Sequence, residues 1–384
     1  MKILIASTSS GSRGGGELSL LYLGQALKDR GNDVTLWVSR HPRMDELAEA
    51  FSRIGAVVRS DYTNTYDLRG RSIRSYLDGR TARRVAREWR ELSPDVVHLN
   101  KQNLEDGLDL CEALRLSGLP GLAMIHITQT ATYLKAALAW PRDFVSRRAL
   151  QNFPGLLVTT PGARQRDLIE FVGAAKRTRC IHNGVPIPDA ASQAEWRSAT
   201  RGELQYAESD LLFVAVGRMV PQKRPLLFLE IAEKIHRRLP EARFLWVGDG
   251  SLGDAWDAWV ADRGLGAVIR RLPWQTSVPR LLSAADIFMH VADFEGLAFA
   301  ILEALASGLP CAITPNLLAE MAFLNPENSI AIGPDDDWID ALRDPARLKR
   351  IGRAARLLAE THFSYARMAA DYEALYEESR RLRA

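Results

Sequence analysis

Short apolar runs alternate with longer amphipathic ones along nearly the whole chain. In the first half, residues 2–6, 34–38, 56–58, 95–99, 122–127, 156–160 and 179–182 read as strands. In the second half, residues 211–216, 243–247, 269–272, 287–290 and 310–313 repeat the rhythm. Helix-like stretches such as 17–30 and 81–92 separate them. Near-continuous apolar strands alternating with helices imply parallel sheets covered on both faces. The rhythm occurs twice, which predicts an α/β protein of two doubly wound domains. The break falls at Asn183-Gly184-Val185-Pro186-Ile187-Pro188-Asp189, where an Asn-Gly turn runs into two prolines. The expected division is 1–185, 186–365 and a final helix over 366–384. That helix reads as amphipathic, with Met368, Tyr372, Leu375 and Tyr376 on one side. Ligands of open α/β domains bind beyond the carboxyl ends of the strands, so two such domains face to face would enclose a site in a central cleft.

The 384 residues are too many for one ordinary core, which agrees with two domains. A chain 47% hydrophobic and 25% charged packs rather than staying disordered, and a net charge of +3 gives no argument for nucleic acid. Charge is concentrated locally, however. Arg69, Arg71, Arg74, Arg80, Arg83, Arg84, Arg87 and Arg90 face only Asp78 and Glu88 between residues 69 and 90. This is either a solvated helix face or a surface for anionic lipid or an anionic acceptor. Trp140, Arg142, Phe144, Arg147 and Arg148 add to the second reading. Cys111, Cys180 and Cys311 are scattered and show no metal or disulfide spacing. A strand at 2–6 followed by a polar glycine-rich stretch predicts no signal-peptide core. No apolar run approaches the length needed to span a bilayer. The expectation is a cytoplasmic protein, at most resting on the inner membrane face.

Three segments carry chemistry. Ser12-Arg13-Gly14-Gly15-Gly16-Glu17 links the first strand to the first helix, where glycines admit close backbone approach and the helix N-terminus favours an anion. The spacing is not GxGxxG, which disfavours a dehydrogenase. Gly217-Arg218-Met219-Val220-Pro221-Gln222-Lys223-Arg224 follows a buried strand and sets two cations, Arg218 and Lys223, at its end, suited to a diphosphate or serving as plain surface charge. Asp293-Phe294-Glu295-Gly296-Leu297-Ala298 leads into a run ending at Glu303. Eight steps of about 100° keep Glu295 and Glu303 from forming one side-by-side pair on a continuous helix. Glu295 therefore belongs on a loop and Glu303 inside the next helix. Among apolar neighbours Glu303 needs a partner, either sugar or ribose hydroxyls or a structural arginine.

In order and spacing these segments resemble the retaining glycosyltransferases of family 4, with GT-B fold and an E-x7-E motif. The likeness also takes in His126 within Ile125-His126-Ile127, Asn183-Gly184-Val185, Val247-Gly248-Asp249-Gly250 and Ala285-Asp286-Ile287. It implies that the last helix crosses back to the N-terminal domain, which binds the acceptor, while the C-terminal domain binds the nucleotide-sugar. Arg218 and Lys223 would hold the donor diphosphate, Glu295 the sugar hydroxyls and Glu303 the ribose. Backbone around Gly296, Leu297 and Ala298 would orient sugar and phosphate. Gly15, Gly16 and Gly248 would line the donor site, and His126 would lie near the reacting centre. The resemblance also implies retention of anomeric configuration, UDP before GDP or ADP as donor nucleotide, no cofactor and no required metal. The acceptor would be a glycan, a lipid-linked molecule or a small hydroxyl compound. Leu297-Ala298 departs from the family's usual aromatic or aliphatic residue followed by glycine, which bears on donor preference.

Three rivals stay open. A metal-dependent GT-A transferase would need its Asp-x-Asp at Asp335–Asp337, which reads instead as a helix-capping loop. A nucleotide-sugar epimerase of the same fold leaves the basic N-terminal surface unexplained, and a non-catalytic nucleotide-sugar-binding protein would bind without turnover.

Overall fold

The computed structural model describes residues 1–275, 277–295 and 297–383. The chain forms two compact units, Met1–Gly184 with Tyr365–Ala384, and Val185–Ser364.

The first unit is built on seven parallel strands. These are β1 (Lys2–Ser7), β2 (Asp33–Ser39), β3 (Ala56–Ser60), β4 (Val96–Asn103), β5 (Gly121–Ile127), β6 (Leu156–Thr159) and β7 (Thr178–Cys180). Their order is β3-β2-β1-β4-β5-β6-β7. Alternate side chains enter different cores: Ile3, Ile5, Leu36 and Met124 pack on one face, Leu4, Ala6, Trp37 and Ala123 on the other. Because side chains alternate along a strand, a sheet covered on both sides must be apolar at consecutive positions. The helix Tyr365–Arg381 closes one face, with Tyr372 and Tyr376 buried in that core. The Tyr376 hydroxyl meets His98 Nδ1 at 2.8 Å, and burial pushes the His98 imidazole down to about 3. His98 is therefore a neutral core residue.

The second unit repeats the plan with β8 (Leu211–Val216), β9 (Ala242–Val247), β10 (Ile269–Leu272), β11 (Ile287–His290), β12 (Cys311–Ile313) and β13 (Ser329–Ala331), all paired in parallel in the order β10-β9-β8-β11-β12-β13. Each sheet thus reverses its winding once, between β1 and β4 and between β8 and β11. At such a switch point the loops leaving adjacent strands part, which opens the crevice where ligands of this architecture bind.

Local differences from the sequence reading have physical causes. Strand β4 runs on to Asn103 because Lys101 is buried and ion-paired to Asp106 at 3.6 Å, so a polar stretch is held inside. Strand β13 has three residues, too few to show a period. The Ala285-Asp286-Ile287 segment proves to be an anchor. Asp286 holds Arg201 at 2.6 Å and Arg197 at 2.8 Å, pinning the helix Ala190–Leu204 against the start of β11. The Asp335–Asp337 segment precedes a helix, Asp337–Asp340, but Asp336 makes no side-chain cap there. It pairs instead with Lys234 and Arg238.

Candidate functional site

In the second unit the chemistry-bearing side chains come from loops leaving β8 and β11, the two strands beside the switch point. Gly217 follows the end of strand β8, and a short turn over Pro221–Lys223 brings Lys223 back against the β11 loop. Lys223 Nζ contacts Glu295 Oε1, and His290 Nε2 reaches the same oxygen at 2.9 Å. Burial alone would push the Glu295 carboxyl up. The Lys223 charge and the His290 hydrogen bond outweigh it and bring it down to about 2. Glu295 is consequently ionised across the physiological range. Its loop is clamped by Gln222, whose Nε2 donates to Phe294 O at 2.7 Å, and by Asn316, which donates to Ala292 O and Asp293 O at 2.9 Å.

Arg218 sits on the same β8 loop and is exposed, and no described residue pairs with its guanidinium. Arg224 pairs with Asp293 at 3.3 Å. Of the cations on this loop, Arg218 is thus the one left available to a ligand. Leu297 and Ala298 lead into the helix Phe299–Ala306, and Ala298 is its N-cap, with no side-chain cap hydrogen bond. A helix N-terminus carries the positive end of the helix dipole, which favours an anion. Glu303 lies within this helix and is buried, so one glutamate is on the loop and the other on the helix. Gly296, placed among the donor-binding residues by the sequence, lies outside the described residues.

Gly248 carries a backbone task that the sequence does not reveal. Its φ of +133° lies where L side chains rarely go, and a Cβ there would collide with the Gly217 carbonyl oxygen. The glycine therefore lets the β9 loop press against the β8 loop, backbone to backbone. Trp246 Nε1 donates to the same Gly217 oxygen at 2.9 Å, which fixes the start of the Arg218 segment.

In the first unit, Gly15 and Gly16 open the helix Gly15–Asp29, whose N-cap Gly14 supplies no side-chain bond. A helix N-terminus with no cap from its N-cap residue therefore stands at the carboxyl end of β1. Asn100, at the corresponding height on β4, donates from Nδ2 to Gly16 O at 3.2 Å. This turns its Oδ1 toward His126 Nε2, 2.8 Å away on β5. A carbonyl oxygen only accepts, so Nε2 carries the imidazole proton. The Nδ1 lone pair is then left as an acceptor, and no described residue donates to it. Burial pushes this imidazole down to about 4, so it is neutral at pH 7. Asn100 was not picked out by sequence reasoning. Gln102 was also missed; it braces the loop by donating to Ser9 Oγ at 2.8 Å and Glu17 Oε1 at 2.9 Å. The only sequence signal for either was a polar interruption at the end of an apolar strand.

Among the described residues no group of three His, Cys, Asp or Glu is placed to hold a metal ion, and no helix is long and apolar enough to cross a membrane.

A model described as Glycosyltransferase Family 4 matches residues 13–187, and one described as Glycosyl transferases group 1 matches residues 210–345. The UDP-Gal:alpha-D-GlcNAc-diphosphoundecaprenol alpha-1,3-galactosyltransferase of Escherichia coli is 34% identical over 168 residues, 42% of this chain and 43% of that protein. The GDP-mannose-dependent monoacylated alpha-(1-6)-phosphatidylinositol monomannoside mannosyltransferase of Corynebacterium glutamicum is 28% identical over 184 residues, 44% and 48% of the two chains. The chain thus spans about half the length of these curated relatives. The Anabaena protein HepE, solved in complex with UDP-glucose, shares the fold with a TM-score of 0.75 at 18% identity, over 98% of this chain and 100% of that one.

Proposed function

The chain belongs to the family 4 glycosyltransferases of GT-B fold, and on that premise we propose that it moves a sugar from a nucleoside diphosphate donor to a hydroxyl acceptor with retention of configuration. UDP is the first choice of donor nucleotide and GDP the second. The names of the Escherichia coli and Corynebacterium relatives, one specifying UDP-Gal and the other GDP-mannose, support that pair. Both names also specify a lipid-linked acceptor, which supports the same class here.

The observation that carries the proposal is the exposed Arg218 guanidinium, unpaired among the described residues, on the same loop as Lys223, whose ammonium meets Glu295 shortly before the helix that begins after Ala298. The bond between the anomeric carbon and the diphosphate breaks, leaving negative charge on the departing oxygen. Fixed cations and backbone donors aimed at that charge stabilise the transition state. Arg218 and Lys223 supply the charge in this reading, and no metal is required. The acceptor oxygen bonds to the anomeric carbon on the face the phosphate leaves, and its proton passes to the departing phosphate oxygen. Glu295 orients sugar hydroxyls, and Glu303 binds the ribose. The neutral His126, with Nδ1 free to accept, orients a hydroxyl near the reacting carbon.

A thermal-shift screen of UDP-, GDP- and ADP-sugars tests the donor, because a ligand bound only by the folded protein raises its melting temperature by mass action. Arg218→Ala should weaken the preferred donor by roughly 10- to 100-fold, the worth of a charge-assisted contact. Turnover unaffected by that substitution, or insensitive to all three donor classes, refutes the assignment. Product analysis separates transfer from epimerisation, and donor binding without turnover on any acceptor would mark a binding protein. Activity abolished by EDTA would overturn the metal-free reading.

A further inference from the structure

The segment between β5 and the helix Ala139–Gln151 exposes an unusual amount of apolar surface. Tyr133 is 66% exposed, Leu138 69% and Trp140 75%, and Leu134 and Phe144 are more than half exposed. Isolated exposed apolar residues are common, but a contiguous group marks a contact surface. This group is contiguous. Trp140 and Phe144 stack one turn apart with ring centroids 5.8 Å apart. Asp143 draws the preceding loop onto that turn, accepting from Ala131 N at 2.8 Å and from the Thr132 hydroxyl at 2.6 Å. Arg142, counted among the surface cations by the sequence, instead points inward. It donates to Ala137 O at 2.9 Å and to Glu105 at 2.8 Å. The loop is thus tied down by its polar side chains and shows its apolar ones to solvent. Lys135 and Leu138 are held at φ of +52° and +54° within it, a conformation a non-glycine residue adopts only where its surroundings impose it.

The charges around this patch have one sign. Exposed Lys135 lies within it, and exposed Arg147 and Arg148 follow on the next turn of the Phe144 helix. The helix Arg71–Leu77 packs alongside and adds exposed Arg74 and the 73%-exposed Leu77. The nearby acids are engaged within the protein. Asp143 and Glu105 hold the contacts above, and Asp78 caps the helix Gly79–Leu92 through Thr81 N at 3.0 Å. Arg147 lies over the Phe171 ring at 5.1 Å, and no described acid is ion-paired to these exposed cations; aromatic and leucine side chains rimmed by such cations match the boundary between acyl chains and anionic headgroups.

We propose that Tyr133, Leu134, Leu138, Trp140 and Phe144 insert into an anionic lipid bilayer, with Lys135, Arg74, Arg147 and Arg148 meeting its headgroups. The proposal deepens the lipid-linked acceptor reading, but it rests on exposure and charge rather than on the sugar-transfer chemistry. The test is sedimentation of the full chain with equimolar phosphatidylglycerol/phosphatidylcholine vesicles and with pure phosphatidylcholine vesicles. Wild type should favour the anionic vesicles. The triple variant Leu138→Ser/Trp140→Ser/Phe144→Ser should bind them at least about tenfold more weakly, given the apolar area removed. Because these side chains are exposed, the variant should keep its melting temperature and its donor-induced thermal shift. Trp140→Phe should bind nearly as wild type. Equal binding by wild type and the triple variant overturns the proposal, as does indifference to lipid charge. Wild type that ignores vesicles but self-associates, with the triple variant monomeric, would assign the patch to a second copy of the chain. Loss of donor binding in wild type, with vesicle binding intact, would sink the transferase reading and leave this one standing.

Discussion

Replacing Glu295 with glutamine gives a pH signature that the geometry fixes in advance. The wild-type carboxyl is held near 2 rather than its usual 4.5 by Lys223 and the His290 hydrogen bond. A carboxyl depressed by folding stabilises the protein fully above its unfolded pKa and loses that contribution as pH falls toward its folded pKa. That depression corresponds to a stabilisation on the order of 3 kcal/mol above pH 5. Integrating the linkage relation from pH 5.5 down to pH 3.5 removes on the order of 1 kcal/mol of it. Glutamine cannot titrate, so Glu295→Gln should lack this slope while keeping the shape of the site. Thermal melts of both proteins across that interval provide the assay. In a unit of this size each kcal/mol moves the melting temperature by about 2–4 °C. The gap between wild type and variant should therefore narrow by about 2–4 °C on acidification. A gap that stays constant or widens refutes the reasoning, because Glu295 would then not owe its ionisation to Lys223 and His290.

Asn100→Ala removes the link between Gly16 and His126; turnover should fall by about 10- to 100-fold, as for a mispositioned catalytic contact, while the donor-induced thermal shift stays unchanged. A shift reduced in parallel would place the effect on donor binding. The neutral His126, pushed down to about 4, should leave the wild-type rate without an acid limb of its own above pH 5. Gly248→Ala must leave φ +133° or displace Gly217, and circular-dichroism melts should show a loss of about 1–3 kcal/mol together with weaker donor binding. Arg201→Met removes the buried guanidinium that Asp286 holds at 2.6 Å but leaves Arg197 on the same carboxylate at 2.8 Å, and denaturant titration should report a loss of about 1–3 kcal/mol with donor affinity retained in the folded fraction.

These sites differ in how far the sequence discloses them, and the reason is geometric. Strands β1, β8 and β11 are buried on both faces, so unbroken apolar runs announce them and place Arg218, Lys223 and Glu295 just beyond their ends. Position along the chain therefore says most about residues that follow a strand directly. It says little where a role depends on which strands are neighbours. Asn100 matters because β4 lies between β1 and β5, which brings Gly16 to one side of it and His126 to the other. Nothing near residue 100 in the sequence records that order. His290 is a similar case: it ends an apolar strand like a core residue, and only the return of the β11 loop sets Glu295 against it.

The apolar loop after β5 fails in the opposite direction. Tyr133, Leu134 and Leu138 have the composition of buried residues, and only the bonds from Asp143 and Arg142 turn the polar groups inward and leave them outside. Burial is thus decided there by where hydrogen-bonding partners lie, not by the hydrophobicity of the segment. The same logic separates the arginines of residues 69–90. Arg84 is tied to Glu88 and Ser60, and Arg90 caps carbonyls at Leu116 and Ser117. Arg74, Arg80, Arg83 and Arg87 stay exposed, with no acid pairing them among the described residues. A basic tract counted from the sequence therefore overstates the charge available to a partner. The part that remains is the part an anionic surface would meet.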